Sequence, residues 1–201
     1  AVGELLALVN GELAEDWNYE LCFSMLEIYN ESIRDLLTKS AAKLEVRQSG
    51  DGNNVPGLTE IRISSMDQVR QLMTTGNANR AVGGHDMNEH SSRSHSIITV
   101  VCRGKNKRDQ STTFGKLHLI DLAGSERISK TDATGDRLKE AQNINKSLSA
   151  LGDVISALGS KKASHVPYRN SKLTFLLQDS LGGNSKVLMF VNVSPALYNM
   201  G

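Results

Sequence analysis

Two short runs, residues 96–103 and 112–122, are rich in β-branched and leucine side chains and are separated only by the charged stretch 104–111. That pattern constrains the fold more than any other in the chain, because such runs joined by a few polar residues form an antiparallel hairpin. Residues 19–28 and 187–193 read as two further strands, divided from the hairpin by helical patterns. The sheet is therefore expected to be mixed. Ser65-Met66-Asp67-Gln68 has the form of a capping box and opens a helix expected to reach about Asn79, with Val69, Leu72 and Met73 on its apolar face. A longer amphipathic helix is expected over about 136–159, where Leu138, Ala141, Ile144, Leu148, Leu151, Ile155 and Leu158 recur at steps of three or four.

With 201 residues the chain has the size of one ordinary domain, which buries roughly 70% of the surface its unfolded form exposes. A formal net charge of +1 excludes the global basic field of a nonspecific nucleic-acid binder. Charge is instead local: Lys161, Lys162, Arg169 and Lys172 lie between Asp153 and Asp179 with no acid among them. Two cysteines, Cys22 and Cys102, are too few for a disulfide framework and point to a reducing, intracellular compartment. The longest apolar run, residues 187–191, is far below the ~20 residues that span a bilayer, and the first residues do not resemble a signal peptide, so a soluble protein is expected.

Two segments carry chemistry. Residues 116–124 form an apolar strand that ends in Asp121, with Gly124 three residues later. A carboxylate there can hydrogen-bond the water shell of Mg²⁺, and a glycine lets its backbone N–H approach a terminal phosphate with no Cβ in the way. Residues 88–95, Asn-Glu-His-Ser-Ser-Arg-Ser-His, place three hydroxyls, two imidazoles, an amide and a guanidinium directly before a strand. Such oxygens can complete the octahedral shell of magnesium, hydroxyls can donate to phosphate, and Arg93 can pair with an acid or a phosphate through its planar fork. A zinc site on His85, His90 and His95 is excluded because residues five apart share no face of a helix or strand and no cysteine accompanies them. A serine hydrolase is excluded by the absence of a Gly-x-Ser-x-Gly elbow.

Taken in order and spacing, residues 88–95, 121–126 (Asp-Leu-Ala-Gly-Ser-Glu), 143–151 (Asn-Ile-Asn-Lys-Ser-Leu-Ser-Ala-Leu) and 165–174 (His-Val-Pro-Tyr-Arg-Asn-Ser-Lys-Leu-Thr) resemble the kinesin motor domain. The stretch Leu151-Gly152-Asp153-Val154-Ile155, with Trp17-Asn18-Tyr19 before the first strand, is most similar to the C-terminal-motor class, whose members usually move toward microtubule minus ends. The resemblance implies an α/β fold of P-loop NTPase type, a central sheet flanked by helices on both faces, truncated at its start. It implies a microtubule-stimulated ATPase using ATP and Mg²⁺, associated with the cytoskeleton, and able to dimerise through regions outside these residues. Residues 88–95 match the first switch, with Ser91 and Ser92 at the terminal phosphate and the metal and with Asn88 and Arg93 nearby. Residues 121–126 match the second, with Asp121 on the metal's water shell and the Gly124 N–H on the phosphate. Arg93 and Glu126 would pair to close the site and organise the attacking water. Residues 136–159 match the relay helix, and Lys146, Arg169 and Lys172, the last two within the segment 161–175, are the expected contacts to acidic tubulin.

The family's phosphate loop, Gly-x-x-x-x-Gly-Lys-Ser/Thr, occurs around none of the 17 glycines. That loop wraps phosphates in backbone N–H groups and supplies a lysine and a magnesium ligand. The chain is therefore expected to cover roughly the C-terminal two-thirds of a motor. Asp132 also stands where the family often has glycine, and its carboxylate would oppose the acidity of tubulin. Two other readings follow: a catalytically silent fragment that binds microtubules or a partner without nucleotide control, and a guanine-nucleotide switch. The second lacks the same loop and any Asn-Lys-x-Asp motif, and leaves residues 143–174 unexplained.

Overall fold

The central strand, β1 (Trp17–Tyr29), is buried without interruption from residue 21 to residue 28. Both of its faces are covered, which is why its apolar side chains run nearly continuously instead of alternating with polar ones. The structure, a computed structural model, describes residues 1–40, 42–50, 52–82, 91–125, 136–160 and 165–192, with the backbone alone at 82 and 136–141. Antiparallel to β1 over its full length lies β6 (His95–Asn106), from Trp17 opposite Asn106 to Ile28 opposite His95. The chain then turns through residues 107–111 and returns as β7 (Thr112–Asp121), which brings Asp121 opposite Ser96. Asn106 builds this turn by accepting the backbone N–H groups of Arg108 and Asp109 on its side-chain oxygen, at 2.8 and 3.3 Å.

On the other edge of β1, β2 (Ser32–Asp35) follows a two-residue turn in which Asn30 and Glu31 have φ of 50° and 56°. Two consecutive left-handed residues give the turn whose twist matches that of paired strands. β5 (Ile61–Ile63) pairs with the same edge farther along, at Leu21 to Phe23, while β3 (Arg47–Ser49) and β4 (Gly52–Asn54) form a separate small hairpin.

Helices cover each face. α1 (Val2–Asn10) and α2 (Met66–Val82) close one side, where Val2, Leu6, Val9 and Val69 pack with Leu21, Phe23, Met25 and Val100. On the opposite side α3 (Asp136–Gly159), α4 (Lys172–Leu176) and the short α5 (Gln178–Gly182) enclose Leu26, Ile28, Ile33 and Ile97 with Leu151, Leu173, Leu176 and Leu177. α2 lies close to the sheet because Gly76 has no side chain: a Cβ there would sit 2.3 Å from the Met25 sulfur.

The structure departs from the expectations in four places. Among the described strands every pairing is antiparallel, where a mixed sheet was expected: β2 and β7 follow short turns, and the longer connections to β5 and β6 also return the chain against the direction of β1. Residues 187–192 form no strand and Phe190 is 83% exposed. β-forming composition expresses a fit to a pleated, half-buried surface, and among the described residues no ladder receives this segment. The Ser65 hydroxyl accepts the Gln68 N–H as expected, yet α2 runs to Val82 and Met73 is exposed. On α3 the buried side chains are Ser147, Ala150, Leu151 and Val154, whereas Ile155 and Leu158 are 44% and 41% exposed. Small residues make the closest approach there, and Ser147 is turned inward by a hydrogen bond that a hydrophobic count does not register.

Candidate functional site

The register of β1, β6 and β7 brings the start of β6 and the end of β7 to the same end of the sheet. Here the two chemistry-bearing segments meet. The backbone N–H of Gly124 donates to the carbonyl oxygen of Ser92 at 2.7 Å, so the loop after β7 is bonded directly to the loop before β6.

A side chain from the last turn of α2 locks this arrangement. The Arg80 guanidinium donates to the carbonyl oxygens of Ser91 and Ser94 at 3.1 and 2.9 Å, to the Ser94 hydroxyl at 3.2 Å and to the Asp121 carboxylate at 2.9 Å. Behind it stands Glu27, 1% exposed, with one oxygen 3.8 Å from Arg80 Nε and the other accepting from Arg34 at 2.8 Å. A planar, always-charged fork with five N–H donors can bridge that many acceptors, which an ammonium group cannot do. The sequence reading did not single out Arg80. Its signal was nonetheless present, since Val69, Gly76 and Arg80 lie on one buried helical stripe and only the last is charged.

His95 is buried and neutral. Its Nδ1 accepts the backbone N–H of Ala123 at 3.0 Å, so the ring proton sits on Nε2, 2.6 Å from the hydroxyl of Ser147 on α3. Burial, and next the positive charge of Arg80, push its pKa down to about 4.

Of the expected site residues, Ser91, Ser92, Arg93, Asp121 and Gly124 are gathered at this end of the sheet, while Asn88 and Glu126 lie outside the described residues, as does their part in the expected closure by Arg93. Asp121 is 69% exposed at its side chain, with one oxygen on Arg80, and Ser92 is exposed in the loop to which Gly124 is bonded. An exposed hydroxyl and an exposed carboxylate on two loops bonded to each other are the donor types that fit Mg²⁺ held by nucleotide phosphate, that hydroxyl and water. Among the described residues no group of three His, Cys, Asp or Glu could hold a metal ion.

The expected tubulin contacts lie on helices that pack against one another. Lys146 is exposed on α3, and Arg169 is exposed with its guanidinium 5.1 Å from the Phe175 ring centre. Lys172 is half-buried: its backbone N–H donates to Glu31 at 3.0 Å and its ammonium pairs with Glu45. Lys161, Lys162 and Asp132 lie outside the described residues.

Compared with known proteins, residues 1–201 match the family model of the kinesin motor domain. The chain belongs to the kinesin motor family. It is 54% identical over 200 residues to the kinesin-like protein KIN-14R of Arabidopsis thaliana, a match covering 98% of this chain and 18% of that protein. To KIN-14E of Oryza sativa it is 54% identical over 196 residues, covering 96% of this chain and 18% of the relative. Among solved structures, the C-terminal motor and motor homology domain of Kar3Vik1, fused to a synthetic coiled coil, superposes with a TM-score of 0.84 at 45% identity, over 96% of this chain and 51% of that one. The motor domain of the kinesin-like protein Kar3 of Saccharomyces cerevisiae gives 0.82 at 43% identity, over 96% and 59%. This kinesin segment thus spans about a fifth of the curated relatives and about half of the solved chains that it matches.

Proposed function

We propose that this kinesin segment is the switch-and-relay part of a microtubule motor that couples hydrolysis of ATP, bound with Mg²⁺, to movement along microtubules. The observation that carries the reading is the 2.7 Å hydrogen bond from Gly124 N–H to the Ser92 carbonyl, reinforced by Arg80 on both loops, because it joins the two phosphate-sensing segments at one point. In this reading Asp121 and Ser92 orient the metal and its water, while Ser91, Asn88 and Arg93 bind the terminal phosphate. The Gly124 N–H exchanges the Ser92 carbonyl for a phosphate oxygen. Arg93 and Glu126 pair when both loops have approached, and they organise the attacking water. A loop of Gly-x-x-x-x-Gly-Lys-Ser/Thr type, which this sequence lacks, supplies the phosphate cradle from elsewhere in the polypeptide. Lys146 and Arg169 give the locally basic face that meets the acidic filament, with a strength that falls as salt rises.

The decisive experiment is ATP turnover by the full-length protein with and without microtubules. Stimulation by microtubules, lost in Glu126→Ala while ATP binding persists, is the expected result. An unstimulated wild type that still binds microtubules, equally with and without nucleotide, would replace this reading with that of a catalytically silent binder.

A further inference from the structure

One hydrogen-bonded chain leaves the candidate site and ends inside α3. The Ala123 N–H donates to His95 Nδ1 at 3.0 Å, His95 Nε2–H donates to the Ser147 hydroxyl at 2.6 Å, and that hydroxyl donates to the Ile144 carbonyl at 2.7 Å. Every donor and acceptor along it is fixed. Because Nδ1 accepts, Nε2 must carry the proton, and because the Ser147 oxygen accepts from Nε2, its own proton is directed to the helix backbone. His95 is 3% exposed and Ser147 2%, so no water substitutes for a missing partner.

His95 is anchored in β6, opposite Ile28 of the central strand, and so acts as a fixed post. Ala123 adjoins Gly124, whose N–H is held by the Ser92 carbonyl, so the two hydrogen bonds fix adjacent peptide units of one loop and a shift of that loop acts on both. A displaced Ala123 N–H leaves a buried imidazole nitrogen without a donor, and the ring recovers one only by turning, which withdraws Nε2–H from Ser147.

We infer that His95 is a positioning residue that ties the backbone N–H of Ala123, adjoining Gly124, to α3 at Ser147, so that this helix takes its place from the state of the loop after β7. Burial and the nearby Arg80 charge keep the ring neutral, which the linkage requires, since an imidazolium has no acceptor for Ala123. The inference rests on the motor reading only for its consequence, which is that α3 passes the state of the nucleotide loops to the filament-binding surface.

The test uses the full-length protein carrying Ser147→Ala, His95→Asn or both. Asparagine keeps an acceptor near the Nδ1 position and removes the donor to Ser147. Microtubule-stimulated turnover is expected to fall about tenfold in each single variant and no further in the double variant, the signature of contacting groups that act together. Basal turnover in Ser147→Ala is expected to remain within about twofold of wild type, because alanine suits a helix interior. Additive losses, or stimulation retained in both single variants, would overturn the inference.

Hydrogen exchange supplies a readout free of motor activity. Ser147→Ala, a change on the helix, is expected to speed exchange of the Ala123 and Gly124 amides roughly tenfold. Faster exchange confined to α3 would refute the linkage even if the wild type proved insensitive to microtubules, and that insensitivity alone would refute only the motor reading.

Discussion

At the scale of single residues, the heaviest demand falls on Arg80. It touches both loops and the buried Glu27, so Arg80→Ala would take one cation from beside Glu27 and free the carbonyl oxygens of Ser91 and Ser94. The expected loss is about 3 kcal/mol of stability, measured by urea denaturation, with nucleotide affinity lowered in the same variant. Arg80→Lys is expected to restore little of either, because one ammonium group cannot span acceptors on two loops and a carboxylate. His118 makes a separate prediction. It is packed with Nδ1 2.8 Å from the Thr99 hydroxyl, and burial, then Lys116, push its pKa down to about 4 against an ordinary 6.5, with Asp179 opposing. The unfolded imidazole binds its proton near pH 6.5 and the folded one resists until about 4. Stability therefore falls as pH drops through that window and is untouched by this group above it, by at most about 3 kcal/mol. In His118→Gln the decline in unfolding free energy between pH 6.5 and 4 is expected to be visibly shallower.

At the scale of elements, α2 shows where packing outweighs propensity. Gly76→Ala improves intrinsic helix formation by ~1 kcal/mol, yet the new methyl meets the buried Met25 sulfur. A net destabilisation of about 1–2 kcal/mol is expected, and combining it with Met25→Val should recover part of the loss in thermal unfolding. Elements were legible in the sequence where local chemistry decides them. The hairpin of β6 and β7, the Ser65 cap and the length of α3 follow from alternation, capping and helical period. What eluded the sequence depends on contacts between distant segments. Residues 187–191 have the composition of a strand but, among the described residues, no ladder to join, and the inward face of α3 is chosen by Ala150, Ser147 and the imidazole opposite, not by Ile155 and Leu158. The candidate site divides in the same way. Ser92, Asp121 and Gly124 announce themselves by type and spacing, whereas Arg80 becomes visible only once three strands place both loops within its reach.

At the scale of the whole molecule, near-neutral net charge means that the proposed recognition of an acidic filament would depend on which cations are free to meet it. Lys172 is held by Glu45, while Lys146 and Arg169 are exposed. Arg169→Ala is expected to weaken microtubule binding two- to fivefold and flatten its salt dependence, about 0.5–1 kcal/mol, whereas Lys172→Ala should matter less. Glu45→Gln should strengthen binding by releasing Lys172, a gain of function that cosedimentation at two salt concentrations would detect. Among the described strands β7 pairs only with β6, and it carries Phe114 half-exposed near its start. An edge strand of ten residues is a template on which another chain can pair. Handled as an isolated polypeptide, these 201 residues should therefore be colloidally sticky, growing oligomers strand upon strand as concentration rises, and the turbidity of the sample would be governed by that one edge.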